Sequence, residues 1–193
     1  MGASIPTATV TTGTIRSTNA SGNVVIGDTA TTTDILNLDV ASGAPTIDVG
    51  TGGQVFMYAN VTGSQGFTKT GGGTLTFRFN PHNMAYTGTV TLNQGTLGLN
   101  QDGSLGDTSN PLSVTGNSTL LIAPGSNSGT VAFAAGRTMT VASSVTATVQ
   151  NNNAAQTVVF NNPIGGSGAL ALNTGTFALN GNNTYAGATT LTN

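Results

Sequence analysis

The sequence contains no cysteine. This absence excludes disulfide bonds, cysteine-based metal sites and cysteine nucleophiles together. A chain without disulfides fits any cellular compartment, and it suits export in an unfolded state.

Charge is also scarce, because only 5% of the 193 residues are charged, whereas an average soluble protein has about 25%. All six acidic residues are Asp, and the four cations are scattered along the chain: Arg16, Lys69, Arg78 and Arg137. Nucleic-acid binding needs clustered Lys and Arg to neutralise several phosphates. The composition therefore excludes nucleic acid as a partner.

Long apolar runs are missing as well. No stretch reaches the roughly 18 apolar residues that a membrane-spanning helix needs. The first ten residues, MGASIPTATV, lack the basic and apolar regions of a signal peptide. We therefore predict no membrane span.

The residues that are abundant, Thr, Gly, Asn, Ala and Val, favour strands joined by tight turns. A chain rich in Gly and Asn can be disordered. However, apolar residues occupy every second position in TVTLN (89–93), TMTVA (138–142) and ALALN (169–173). This alternation is typical of strands with one buried side, and it predicts an ordered all-β chain.

The sequence also repeats itself. The segment 68–100 has a partial copy at 172–193, in which GTLTF (73–77) aligns with GTFAL (175–179) and YTG (86–88) with YAG (185–187). A shorter fragment, TATVTTGTI (7–15), matches TVTLNQGTL (89–97). Repeats of two or three strands bury their faces by stacking on one another. We therefore predict a single β-solenoid over 1–193, with Asn at corners, where it tolerates left-handed backbone and can bond to the next coil.

The stretch TKTGGGTLTF, followed by YTGTVTLNQGTLGLN and GSLG, resembles the autotransporter-associated β-strand repeat of bacterial secreted surface proteins. The resemblance covers about 66–106 and, in truncated form, 172–193. It implies a right-handed parallel β-helix located outside the cell or on the bacterial surface. The repeat is a scaffold element without catalytic residues, so the resemblance implies no chemistry.

Few residues suggest a catalytic or metal site. The single histidine, His82, lies in a turn-like segment without triad partners or other metal ligands, which favours a loop residue. Solenoid polysaccharide lyases and hydrolases require paired carboxylates near a cation. The local acidic residues Asp28, Asp34, Asp39 and Asp48 have no such sequence neighbour, and QDGSLGD (101–107) lacks the tandem calcium-binding pattern. We interpret all of these as turns, and we predict no enzyme activity, no cofactor and no metal.

Threonine pairs separated by one residue raise a further alternative. Each would present two hydroxyls on one side of a strand, and a flat ladder of such pairs could order water and bind ice. Their spacing along the chain is irregular, and Thr is also an ordinary outward strand residue. The pairs are Thr87/Thr89, Thr89/Thr91, Thr138/Thr140 and Thr146/Thr148.

The two ends of the sequence are uncharged and resemble strands, whereas end coils usually carry a polar cap or charges. The copy at 172–193 ends at LTN, where its internal counterpart continues into QGTLGL. The N-terminal fragment resembles that missing piece. We therefore predict end-to-end contacts between copies, with this assembly interface: Thr7, Thr9, Val10, Thr11, Gly13, Thr14, Ile15, Thr189, Thr190, Leu191, Thr192 and Asn193.

The sequence thus predicts a non-enzymatic extracellular β-solenoid that forms a homopolymer, namely a head-to-tail filament. Two alternatives remain open at this stage. One is an adhesin passenger that binds a glycan, a host surface or a polysaccharide matrix, and the other is an ice-binding module.

Overall fold

The computed structural model describes residues 7–9, 13–18, 21–27, 33–40, 43–78, 83–122 and 129–192. Over these residues the chain forms twenty-two β-strands and one 3-10 turn, with no α-helix. The paired strands are parallel throughout. The predicted parallel β-solenoid is therefore confirmed.

Successive strands lie on three faces of the solenoid, and the chain visits the faces in a fixed order. The first face is interrupted. A four-stranded and a three-stranded sheet flank the 3-10 turn Asp102–Leu105, which contacts β10 and β15. The strands of this interrupted face are β1 (Thr7–Thr9), β4 (Ile35–Asn37), β7 (Asn60–Gly63), β10 (Met84–Tyr86), β15 (Thr130–Phe133), β18 (Thr157–Phe160) and β21 (Thr176–Leu179).

The other two faces are continuous sheets. The seven-stranded face contains β2 (Thr14–Ser17), β5 (Thr46–Val49), β8 (Phe67–Thr70), β11 (Val90–Leu92), β13 (Leu112–Val114), β16 (Met139–Val141) and β19 (Ile164–Gly166). The eight-stranded face contains β3 (Gly22–Ile26), β6 (Gly53–Met57), β9 (Thr74–Phe77), β12 (Gly95–Leu99), β14 (Ser118–Ile122), β17 (Thr146–Asn151), β20 (Ala169–Asn173) and β22 (Thr189–Thr192).

The core consists of apolar columns that run along the solenoid, because strands of successive coils pair in register and point the same positions inward. On the eight-stranded face, one inward column reads Val24, Val55, Leu75, Leu97, Leu120, Val149, Leu172 and Leu191. Its members from Val55 to Leu172 are buried. The three alternating windows identified in the sequence are β11, β16 and β20, with their apolar residues inward as predicted.

Glycines form the corner before the seven-stranded face, where successive coils approach each other closely. Gly66 and Gly88 both have positive φ, at 68° and 101°. A Cβ on Gly66 would lie 2.0 Å from the carbonyl oxygen of Thr89, and a Cβ on Gly88 would lie 2.5 Å from the carbonyl carbon of Gln65. Only glycine combines the left-handed backbone with this lack of space, which explains the Gly of the YTG motif.

Asparagine supports other corners through its side chain. Asn93 Nδ2 donates a hydrogen bond to Thr115 Oγ1 of the next coil at 3.2 Å, and Asn117 Oδ1 accepts one from the Thr146 amide at 2.8 Å. The predicted bonding between coils is thus confirmed. The predicted left-handed backbone is wrong for the described residues, because the non-glycine residues with positive φ are Ser144 and Thr174.

Arg137 fills the gap in the interrupted face. Its side chain is 1% exposed, and its Nε lies 2.7 Å from Asp102 Oδ1 of the 3-10 turn. Its Nη1 donates to the carbonyl oxygens of Leu105 at 3.2 Å and Asn110 at 3.0 Å. The guanidinium thereby donates hydrogen bonds to backbone carbonyl oxygens at the interruption, where a neighbouring strand would otherwise supply the donors.

Candidate functional site

The last described strand, β22, leaves part of the interior exposed. In the described residues β22 pairs on one side only, with β20, and places Leu191 next to Leu172. Leu172 is 3% exposed, whereas Leu191 is 71% exposed. An inward leucine of the core column therefore stands open to solvent, and so does the free hydrogen-bonding edge of its strand.

The opposite end has a similar edge. Strand β3 pairs only with β6 in the described chain, in a register that places Val24 next to Val55. Val24 is half-buried while Val55 is buried, and the neighbouring outward residue Val25 is 50% exposed. The two large hydrophobic residues that are exposed among the described residues, Val25 and Leu191, thus lie on the two edge strands of one sheet.

The edge strands carry little charge of the kind that normally blocks unwanted pairing. Neither β3 nor β22 contains a charged residue. Strand β2 contains Arg16, whose Nε forms an ion pair with Asp48 Oδ2 of β5 at 2.9 Å. The described ends are therefore open to further strand pairing.

The residues of the predicted assembly interface lie at opposite ends of the solenoid. Thr7 and Thr9 lie in the edge strand β1, Thr14 and Ile15 in the edge strand β2, and Gly13 in the turn before it. Thr189, Thr190, Leu191 and Thr192 form β22, whereas Val10, Thr11 and Asn193 lie outside the described residues. Contact between these two groups would need more than one copy, so the interface stays a prediction.

Sequence reasoning missed strand β3 as part of this region. Its segment GNVVI alternates weakly, because Val24 and Val25 are both apolar. The pairing of β3 with β6 shows that Val24 belongs to the inward column and Val25 points outward. The available signal was the glycine that begins the strand, since Gly22 pairs with Gly53, which begins β6.

The matching sequence copies occupy different faces. TLTF of the first copy is β9 on the eight-stranded face, while TFAL of the second copy is β21 on the interrupted face. The next aligned strands are β11 on the seven-stranded face and β22 on the eight-stranded face. The second copy therefore lies one face further along the coil than the first.

The candidate catalytic residues do not form a catalytic group in the described chain. Asp48 lies within strand β5, so its interpretation as a turn residue is wrong, and it contacts Arg16 and Thr70. Asp39 accepts hydrogen bonds from Ser64, and His82 and Asp28 lie outside the described residues. Asp107 accepts hydrogen bonds from the Ser109 hydroxyl and amide, which lower the pKa of its carboxyl. QDGSLGD thus forms turns, as predicted. The described residues contain no group of three His, Asp or Glu side chains placed to hold a metal ion.

Lys69 is an inward residue of the seven-stranded face and is completely buried. Its Nζ donates hydrogen bonds to the carbonyl oxygens of Thr70 at 2.5 Å, Gly71 at 2.7 Å and Gln94 at 3.2 Å. Burial lowers the pKa of Lys69 to about 8, although the charge of Asp48 acts in the opposite direction. The backbone at this corner therefore holds an ammonium group inside the core.

The outward face of the eight-stranded sheet carries a threonine ladder. Thr74, Thr96, Thr119 and Thr148 are neighbours in register on four successive coils. An open groove of about 420 Å³ lies beside this ladder, lined by Gly95, Thr96, Asn117, Ser118, Thr119, Thr146 and Thr148. The lining is neutral and rich in hydroxyl groups.

A second ladder runs along the seven-stranded face through Thr14, Thr46, Thr68, Thr91, Ser113 and Thr140. The irregular spacing in the sequence therefore conceals a regular spatial order. The adjacent outward column is mixed, because it contains Arg16, Asp48 and Thr70. No flat double row of threonines extends along this face in the described chain.

Comparison with known proteins bears on the same segments. A family model described as the passenger-associated transport repeat matches residues 67–99 and 172–193. These two segments are similar to that repeat. The resemblance inferred from TKTGGGTLTF and its continuation is thereby confirmed. No curated protein and no solved structure matches the chain.

The passenger-associated transport repeats and the solenoid fold together indicate a secreted or surface protein of the autotransporter passenger type. Among the described residues, no helix has the length and apolar character needed to cross a membrane.

Proposed function

We propose that the protein is a non-enzymatic structural subunit whose copies assemble head to tail into an extracellular filament. The observation that carries this proposal is Leu191, an inward core residue that remains 71% exposed. Covering it with a further coil would remove apolar surface from water and pair the free edge of β22.

The stacking also fits the general behaviour of solenoids, in which each coil interacts only with its neighbours. A contact between two different ends of a molecule does not close on itself and produces an open filament. The low charge of the edge strands β3 and β22 adds little electrostatic repulsion to such a contact.

Substitution of Leu191 by lysine tests this proposal. We expect Leu191→Lys to abolish filaments, because stacking would bury an unpaired charge. The variant should remain folded, since position 191 is exposed in the single copy. Negative-stain electron microscopy and analytical ultracentrifugation would measure the change.

Thr190→Lys is the matched control, because it adds the same charge to the same strand at an outward position, where it stays solvated. It should retain filaments of uniform width. Monomeric wild-type protein at all concentrations, or equal filaments from Leu191→Lys and wild type, would refute head-to-tail stacking through this end.

A second candidate function is glycan binding by an adhesin passenger, and the groove beside the threonine ladder favours it. Its hydroxyl and amide groups suit a neutral polysaccharide, and its lining contains no charged residue. Bound sugars need such convergent polar groups in a concave site. The ice-binding alternative gains less support, because the column beside the threonine ladder of the seven-stranded face is mixed.

Glycan binding would be tested with Thr119→Arg, which fills the middle of the groove. On an array of neutral polysaccharides, we expect wild-type binding to fall at least about tenfold in this variant, a loss of roughly 1.4 kcal/mol. Thr91→Arg on the seven-stranded face is the control and should bind as wild type. Equal binding by both variants would exclude this groove as the glycan site.

A further inference from the structure

The groove beside the threonine ladder of the eight-stranded face crosses three successive coils. Its lining comes from strands β12, β14 and β17 and from Asn117, which precedes β14. These strands pair in parallel without offset, so that Thr96, Thr119 and Thr148 form one column along the solenoid axis. Neighbouring strands lie about 4.8 Å apart. The groove therefore offers the same side chain once per coil, at a fixed spacing.

A second polar column forms the other side of the groove. Asn117 and Thr146 each lie two residues before a threonine of the ladder, so they share its outward side. The Thr146 amide donates a hydrogen bond to Asn117 Oδ1 at 2.8 Å, which holds the Asn117 side chain between the two coils. The residues between the columns, Gly95 and Ser118, are small. Two rows of polar side chains thus stand on either side of a shallow floor.

These side chains keep hydrogen-bonding groups available for a ligand. Within the described part of the chain, none of the four threonine hydroxyls that line the groove makes a hydrogen bond to the protein. Asn117 engages its Oδ1 and leaves both hydrogens of its Nδ2 open. Hydroxyl groups donate and accept, whereas the amide nitrogen donates, and sugar hydroxyls complement both. Because the lining carries no charge, it suits a neutral sugar better than an ionic one.

We infer that the groove binds a linear, neutral, β-1,4-linked glycan whose chain lies along the solenoid axis, with one sugar on each of three coils. This inference rests on the glycan-binding function proposed above, and it adds the linkage, the direction and the length of the bound segment. A β-1,4-linked chain is an extended ribbon that advances by one sugar over a distance close to the strand spacing. An α-1,4-linked chain winds into a helix and leaves the row after one coil.

The double row of polar side chains ends on both sides of these three coils. On the coil of β20, Ala169 and Ala171 occupy the positions in register with the last two lining threonines, and their methyl groups make no hydrogen bonds. On the coil of β9, Thr74 continues the ladder, but the residue two before it is Gly72, which has no side chain. The bound segment is therefore limited to three sugars.

Oligosaccharides of increasing length test this inference. The probes are cello-oligosaccharides and chito-oligosaccharides of one to five sugars, and nuclear magnetic resonance titration measures their dissociation constants. We expect the affinity of the wild type to rise at least about threefold with each sugar up to the third, because each coil adds hydrogen bonds. The fourth sugar should add no more than about twofold, since a tetrasaccharide only offers two frames to the same three coils.

A variant with a longer row provides the sharpest comparison. Ala169→Thr combined with Ala171→Thr places two outward threonines on β20, and threonine is favourable in a strand. In this variant the fourth sugar should raise the affinity at least about threefold. The matched control is Ala132→Thr with Ala178→Thr, which adds two outward threonines to the interrupted face. It should keep the small wild-type gain from the fourth sugar, and circular dichroism checks that both variants are folded.

The outcomes separate this inference from the glycan-binding function. If Thr119→Arg abolishes glycan binding but the fourth sugar gains no affinity in the β20 variant, or gains it equally in the control, the alignment along the axis is wrong. If neutral polysaccharides of other linkages bind and neither oligosaccharide series does, the linkage is wrong. If no polysaccharide binds, the glycan-binding function and this inference both fail.

Discussion

Arg137→Met is expected to lower the free energy of unfolding by about 3 kcal/mol or more, as is usual when one partner of a buried ion pair is removed. Arg137 is 1% exposed and pairs with Asp102 at 2.7 Å. Methionine fills a similar volume but donates no hydrogen bonds. The variant would leave the Asp102 carboxylate and the Asn110 carbonyl oxygen without this donor, whereas the Leu105 carbonyl oxygen would keep only the hydrogen bond from Asn110 Nδ2. Urea unfolding monitored by circular dichroism would measure the loss.

Arg16→Met provides the comparison, because Arg16 forms an ion pair with Asp48 that is more exposed. Its side chain is 64% exposed and that of its partner Asp48 is 25% exposed. Exposed pairs of this kind contribute only about 0–1 kcal/mol. Similar losses from Arg137→Met and Arg16→Met would show that Arg137 does not hold the interrupted face together.

The second large effect is a dependence of the free energy of unfolding on pH, which the buried Lys69 causes. Its pKa is about 8 in the folded protein and 10.5 for an unperturbed lysine. Below pH 8 both the folded and the unfolded state bind the proton, so the cost of burying the charge is fully present. Between pH 8 and 10.5 the folded state releases the proton before the unfolded state does, and stability therefore rises with pH.

We expect the free energy of unfolding of the wild type to increase by about 1 to 2 kcal/mol from pH 8 to pH 9.5. Lys69→Met should abolish this increase, because the group that titrates is removed. Measurements should end near pH 9.5, since burial raises the pKa of Tyr86 and ionisation of that tyrosine in the unfolded state acts in the opposite direction. If the free energy of unfolding of the wild type stayed constant or fell between pH 8 and pH 9.5, the lowered pKa of Lys69 would be contradicted.

Much of the fold could be predicted because strand alternation is a local signal. Val90 and Leu92, or Leu170 and Leu172, point inward as their spacing requires. The same rule places Lys69 inside, since it lies between Thr68 and Thr70 in TKT, but a charge is not expected in a core. Its tolerance depends on the carbonyl oxygens of Thr70 and Gly71 and on that of Gln94 from the next coil, and strand alternation does not reveal where these carbonyls point.

The exposure of the edge strand β22 and the 3-10 turn in the interrupted face were harder to predict, because both depend on how the coils stack. Arg137 and Asp102 are 35 residues apart, so their pairing depends on how the coils stack. The exposure of Leu191 likewise depends on what lies below its strand rather than on its neighbours in the chain. The threonine ladders show the same dependence, because loops of unequal length still bring Thr96, Thr119 and Thr148 into one column.

The displacement of the second repeat copy by one face has a wider consequence. The two copies form strands on different faces, because a strand on any face alternates inward and outward residues. The unit of growth for this solenoid is therefore a single strand with its turn, and a duplication need not comprise a complete coil. Insertion of one or two strand units would turn every later segment to a new side, which changes the direction in which its surface residues point without disturbing the core.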